Sequence, residues 1–251
     1  MISKAFKLDG KTAIVAGDSK YWSKYVSKIL LEAGANVIVA SKNTRSLDEI
    51  KDVSPGYKQS FIVIPTDTTD RLQIESMTEQ VINKFGRIDI LVNTSNLLLA
   101  KPFLKISEDE LYQVFDTNLV SVFHCCQIVG KEMIKQKKGR IINMVSCMAE
   151  RGVENFSVYC MSMGGVLQLT RALNLEWAGS GITVNAIGTG WMSETEKTGD
   201  INEESLLKYI PLKRYGKPDE VGPLVVYLAS DTSDFLSGQF LYVDGAVMSH
   251  L

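Results

Sequence analysis

Tyr159 lies thirteen positions after Ser146, and the residue four beyond the tyrosine is Met163. A serine hydroxyl and a phenol placed where a strand gives way to a long helix can act on a ligand oxygen, the phenol as acid or as base. Methionine supplies neither positive charge nor a hydrogen-bond donor. With no cation beside it, Tyr159 keeps a pKa at or above about 10 and stays protonated at neutral pH. A neutral phenol still donates a hydrogen bond, so acid assistance survives here better than base chemistry.

The other chemistry-bearing side chains are few. His124, in "SVFHCCQIVG", reads as an ordinary helix residue, and neither it nor His250 has a second ligand at i, i+4 spacing, so no metal site is expected. Cys125, Cys126, Cys147 and Cys160 form no C-x-x-C pair, which suits a reducing compartment. Cys147 and Cys160 flank the Ser146/Tyr159 pair and, without a histidine partner, read as packing residues rather than nucleophiles.

The chain has 251 residues, of which 45% are hydrophobic and 22% charged, enough for one sizeable core. A net charge of -2 and the absence of a long basic run give no footprint for nucleic acid or an anionic membrane, which leaves a small-molecule substrate as the expected partner. No apolar run approaches the roughly 20 residues that span a bilayer, and "MISKAFKLDGKTAIVAG" lacks a signal-peptide core. A cytoplasmic location is expected.

These residues must be positioned by strands and helices in alternation. "TAIVA", "NVIVA", "SFIVIP", "IDILVN", "GRIINMV", "ITVNAI" and "QFLYVD" read as seven short strands with amphipathic segments between them. That order predicts an α/β fold, a doubly wound, seven-stranded parallel sheet in a single domain over residues 1–251, with ligands at the carboxyl ends of the strands. Trp22, Val26, Ile29, Leu30 and Ala33 follow the helical period, and Gly34 is placed to end that helix. The polar stretch around 188–210 is expected to be a substrate lid.

Nearly the whole chain resembles the short-chain dehydrogenase/reductase family, most specifically in "GRIINMVSCMAERGVENFSVYCMSMGGVLQLTRALNLEWAGSGITVNAIGTGW" and "RYGKPDEVGPLVVYLASDTSDFLSGQFLYVDG". The resemblance implies a Rossmann-type fold and an NADP(H)-dependent oxidoreductase acting on a small carbonyl or alcohol. The family's catalytic tetrad is Asn, Ser and Tyr-x-x-x-Lys. Carried onto this chain, it assigns Asn118 to a water-holding helix kink, Ser146 to polarising the substrate oxygen and Tyr159 to the acid/base phenol. Met163 stands where the lysine would hold the nicotinamide ribose and lower the tyrosine pKa. Lys20, Lys24 and Arg151 are the candidate replacements for that cation.

The cofactor motifs are altered together with the lysine. Where the family has Thr-Gly-x-x-x-Gly-x-Gly, this chain has Ala16 and Gly17, then Tyr21 and Ser23 at the second and third glycine places. A side chain there impedes close approach of the backbone to the dinucleotide phosphates. Gly17 and Ser23 also match the Gly-x5-Ser spacing of the family's divergent enoyl reductase branch. The resemblance assigns Gly17, Ser19 and Ser23 to the phosphate loop, Asp67 to adenine and Asn93 to the motif after the fourth strand. Ser41 and Lys42 offer no acid for a ribose 2'-hydroxyl, which favours NADP over NAD. The family's Asn-Asn-Ala-Gly appears as Asn93-Thr94-Ser95-Asn96, and its later Pro-Gly as Thr189-Gly190.

The reading is therefore an oxidoreductase with impaired cofactor and catalytic motifs that holds NADP(H) weakly. The alternatives are a cofactor-independent enzyme (lyase, isomerase, hydrolase or dehalogenase) that uses Ser146 and Tyr159, and a catalytically silent binding subunit. The intact "FLSGQFLYVDGA", which packs at a subunit interface in the family, implies a homo-oligomer, with a tetramer expected.

Overall fold

The structure, a computed structural model, describes residues 5–17, 20–42, 60–193 and 207–249. All seven apolar runs form strands: β1 (Thr12–Ala16), β2 (Asn36–Ser41), β3 (Phe61–Pro65), β4 (Ile90–Asn93), β5 (Gly139–Ser146), β6 (Ile182–Thr189) and β7 (Phe240–Val243). They pair in the order β3-β2-β1-β4-β5-β6-β7, every pair parallel. The chain order reverses between β1 and β4, so a crevice opens there at the carboxyl ends of the strands. This is the predicted α/β, doubly wound, Rossmann-type sheet.

Helices cover both faces because the strands are apolar on both. Along β1, Ala13 and Val15 join one buried cluster, and Ile14 and Ala16 join the other, as the two-residue strand period requires. Helices α1 (Lys20–Glu32) and α6 (Gly222–Ala229) pack together on the first face. On the second lie α2 (Arg71–Phe85), α4 (Ser121–Gln136) and α5 (Ser157–Trp177), with the short α3 (Glu108–Phe115) against α5.

Local signals fix where the helices begin and end. Gly34 lies just past α1 with φ +100°, and a Cβ there would come within 2.1 Å of the Asp9 carboxylate. The Asp70 carboxylate caps α2 through the amides of Leu72 and Gln73, and Ser107 and Glu110 form a capping box on α3. Between α3 and α4 the backbone widens into a π-helical turn, Asp116–Val120. Such a turn re-aims side chains and is frequent at functional sites.

Among the described residues, no helix is long and apolar enough to cross a membrane. Of the predicted lid, residues 194–206 lie outside the described residues, as does Ser19 of the phosphate loop.

Candidate active site

Strand β5 ends at Ser146, whose hydroxyl accepts from the Met148 amide at 3.2 Å. Tyr159 lies in the first turn of α5, 4% exposed, and Ser146 adjoins its hydroxyl closely enough to act on its titration as a hydrogen-bond partner. The Tyr159 hydroxyl donates to Asn96 Oδ1 at 2.9 Å. Burial, above all, pushes the phenol well above its ordinary pKa, against the smaller downward pull of Ser146 and Asn96.

The third tetrad residue, Asn118, sits fully buried in the π-helical turn. Its carboxamide pairs both ways with the Leu97 backbone: Leu97 N donates to Oδ1 at 2.6 Å and Nδ2 donates to Leu97 O at 3.0 Å. Nδ2 also donates to Ser162 Oγ at 3.1 Å, and the Ser162 hydroxyl donates to the Tyr159 carbonyl at 2.8 Å. A closed circuit results, from Tyr159 through Asn96, the Leu97 backbone, Asn118 and Ser162 back to Tyr159. The structure thus brings Asn118, Ser146 and Tyr159 together. Sequence reasoning marked Asn96 only as a lost glycine; a polar side chain appearing at a glycine place just past β4 was the available signal.

Met163 lies one turn beyond Tyr159, 1% exposed, in the apolar cluster that contains Val166, Leu167 and Tyr159 itself. Of the candidate replacement cations, Arg151 donates from Nη1 to the Val247 carbonyl at 2.5 Å. Lys24 is half-buried on α1, and the Lys20 side chain lies outside the described residues. Cys147, buried beside Ser146, has its thiol pushed up to about 11, chiefly by burial and then by the Asp244 carboxylate. It is a packing group rather than a thiolate.

The residues assigned to a cofactor are distributed differently. Gly17 has φ +134°, and a Cβ on it would lie 2.4 Å from the Ser95 amide nitrogen, so this glycine lets β1 and β4 close together. Ser23 is buried: its hydroxyl donates to Gly17 O at 3.0 Å and bonds Thr94 Oγ1 at 2.9 Å. Asn93 also turns inward, its Nδ2 donating to Asn143 Oδ1 at 2.7 Å and to Cys126 Sγ at 3.3 Å. Ser41 is buried at the end of β2.

Lys42 forms an ion pair with Asp67 at 2.7 Å. The Asp67 carboxylate also accepts from the Thr69 amide and hydroxyl at 2.9 and 2.6 Å. Burial raises the Asp67 pKa, but the bonds from Lys42 and Thr69 together hold it below its ordinary value. Asp67 is thus a turn-forming acid, and the helix cap is Asp70.

Tyr21 is the residue that most changes the crevice. Its ring packs against Trp22 and Tyr25, with centroids 4.9 and 5.0 Å away, and its hydroxyl donates to the Ser193 carbonyl at 2.7 Å. This strut joins the start of α1 to the segment after β6, over the carboxyl edge of the sheet. Tyr21 thus spans from the start of α1 to the segment after β6, while Ser23 and Asn93 turn inward and Met163 lies in the core.

Comparison with known proteins gives a consistent picture. The family model described as enoyl-(acyl carrier protein) reductase matches residues 23–247. A 3-oxoacyl-(acyl-carrier-protein) reductase of Thermotoga maritima is 33% identical over 244 residues, 96% of this chain and 99% of the relative. A 2-dehydro-3-deoxy-D-gluconate 5-dehydrogenase of Pseudoalteromonas atlantica is 34% identical over 249 residues, 97% of this chain and 98% of the relative. The crystal structure of a gluconate 5-dehydrogenase from Burkholderia cenocepacia, in complex with NADP and tartrate, superposes with a TM-score of 0.93 at 28% identity and covers all of both chains.

Proposed function

The chain belongs to the short-chain dehydrogenase/reductase family of oxidoreductases, and from that premise we propose that it binds a small carbonyl or alcohol compound while reducing it poorly. Ser146 supplies a hydroxyl to the ligand oxygen, Tyr159 stands beside it as a neutral hydrogen-bond donor, and NADP(H) is the weakly held cofactor. Asn118 positions Tyr159 and the loop before it. One observation carries this reading: Tyr159 donates to Asn96 while the place of the cation is filled by buried Met163. A phenol in that setting stays neutral and donates; it does not take a proton.

NADP(H) must displace Tyr21 from Ser193 before its phosphates approach the start of α1, so its affinity is low. Lys42 at the end of β2 favours NADPH over NADH once it leaves Asp67. The test is a fluorescence titration with both nucleotides. We expect NADPH to bind more weakly than micromolar, and Tyr21→Gly to tighten it about tenfold, the effect of 1.4 kcal/mol. Ser23→Gly should lower stability by about 1–2 kcal/mol without improving NADPH binding, because it removes only interior hydrogen bonds. Submicromolar NADPH binding by the natural chain would overturn the reading.

The Asn96–Tyr159 bond favours a second reading, in which the pocket works on its ligand without nicotinamide. Turnover of a carbonyl compound that is indifferent to added NADPH would select it. Under either reading the chain acts as a cytoplasmic homo-oligomer, a tetramer by family likeness. Its half-buried edge strand β7 is a surface that a second copy would cover.

A further inference from the structure

Asn96, Ser146 and Tyr159 meet at the carboxyl ends of β4 and β5, and only Asn96 is more than slightly exposed. Its Oδ1 is taken by the Tyr159 hydroxyl at 2.9 Å. That bond fixes the plane of the carboxamide and leaves both Nδ2 hydrogens to point away from the phenol. The position is pinned on two sides: Asn118 holds the Leu97 backbone next to Asn96, and through Ser162 it holds the carbonyl of Tyr159. A half-buried donor held this firmly is arranged as a binding group rather than as a surface side chain.

We infer that Asn96 is a ligand-binding residue of this pocket, its Nδ2 donating, with Ser146 beside it, to the oxygen of an uncharged carbonyl compound. Tyr159 is then the positioning residue that orients the carboxamide. The inference rests on the carbonyl-binding reading above and adds the residue and the charge class. Ligand charge follows from the donors: Asn96, Ser146 and a protonated Tyr159 are all neutral, and of the charged groups that act on neighbouring Cys147, Arg151 is opposed by Asp244, so a carboxylate placed against these donors would be desolvated with no counter-charge among them. A ketone or thioester oxygen incurs no such cost. Partly buried Leu98, Val153 and Trp191 pack against the same apolar cluster as Tyr159.

The experiment is a calorimetric titration of the full chain, without nucleotide, with the acetoacetyl thioester of N-acetylcysteamine and, in parallel, with acetoacetate. We expect the uncharged thioester to bind and the anion to bind at least tenfold more weakly. Asn96→Ala and Asn96→Gly should each weaken the thioester at least tenfold while keeping a cooperative unfolding transition. Tyr159→Phe should also weaken it, and the Asn96→Ala/Tyr159→Phe double variant should be no worse than Asn96→Ala alone, because the two act as one unit. No thioester binding by the natural chain, unchanged binding by both Asn96 variants, additive losses, or preference for acetoacetate would each overturn the inference. Nucleotide is absent throughout, so this result stands apart from the NADPH titration.

Discussion

At the scale of single residues, Met163 decides what Tyr159 can do. A thioether 1% exposed in an apolar cluster is well suited to fill space and unable to stabilise a phenolate. Restoring the family lysine should therefore harm the protein before it helps it. A buried ammonium without a partner typically shifts its pKa by about 3 units or more, which at 1.4 kcal/mol per unit is about 4 kcal/mol. We expect Met163→Lys to lose stability on that order and to gain no carbonyl reduction, whereas Met163→Leu should cost less than about 1.5 kcal/mol. Urea unfolding of the two variants checks this. A lysine variant as stable as the natural chain would mean that the ammonium reaches Tyr159 after all.

At the scale of elements, the π-helical turn does more than kink the chain. Asn118 satisfies both backbone groups of Leu97 and ties them to α5 through Ser162, so the loop after β4 and the start of α5 move as one unit. Asn118→Ala leaves those groups without a partner. We expect a loss of about 3 kcal/mol from three buried hydrogen bonds, and protection of the Leu97 amide from hydrogen exchange should fall first. Unchanged protection would show that the circuit does not hold the loop.

Which residues would meet in this circuit was only partly legible. Tyr159 and Asn118, with Ser146 beside the circuit, were assigned by the family resemblance of the motifs that hold them. The partners Leu97 and Ser162 were not, since a backbone group and a small hydroxyl carry no pattern. Asn93 was readable in hindsight from strand alternation: it shares a face with Leu91, which joins the cluster under α4. Ser23 falls on the buried stripe of α1 by the same reasoning. Motif matching assigned both to a ligand, whereas their periodicity assigned both to the interior.

At the scale of the whole molecule, the fold was legible because a parallel sheet covered on both faces writes each strand as a short, largely apolar run. The polar circuit within that core has a consequence for stability at high pH. In the unfolded chain tyrosines ionise near pH 10, but buried Tyr159 holds its proton to higher pH, chiefly through desolvation. Above about pH 10 the folded form therefore binds more protons than the unfolded form, and stability falls as pH rises. Tyr242 adds to this in the same direction: burial raises its pKa first, and then the Glu150 carboxylate that accepts its hydrogen bond. Melting temperatures from pH 9 to 11 should drop more steeply for the natural chain than for Tyr159→Phe. Tyr242→Phe should lie between them, because that ring is 38% exposed and solvent screens its contribution. Parallel curves for the natural chain and Tyr159→Phe would mean that the phenol ionises as readily in the fold as outside it, so that burial does not hold its proton, although at neutral pH it would still be protonated and able to donate.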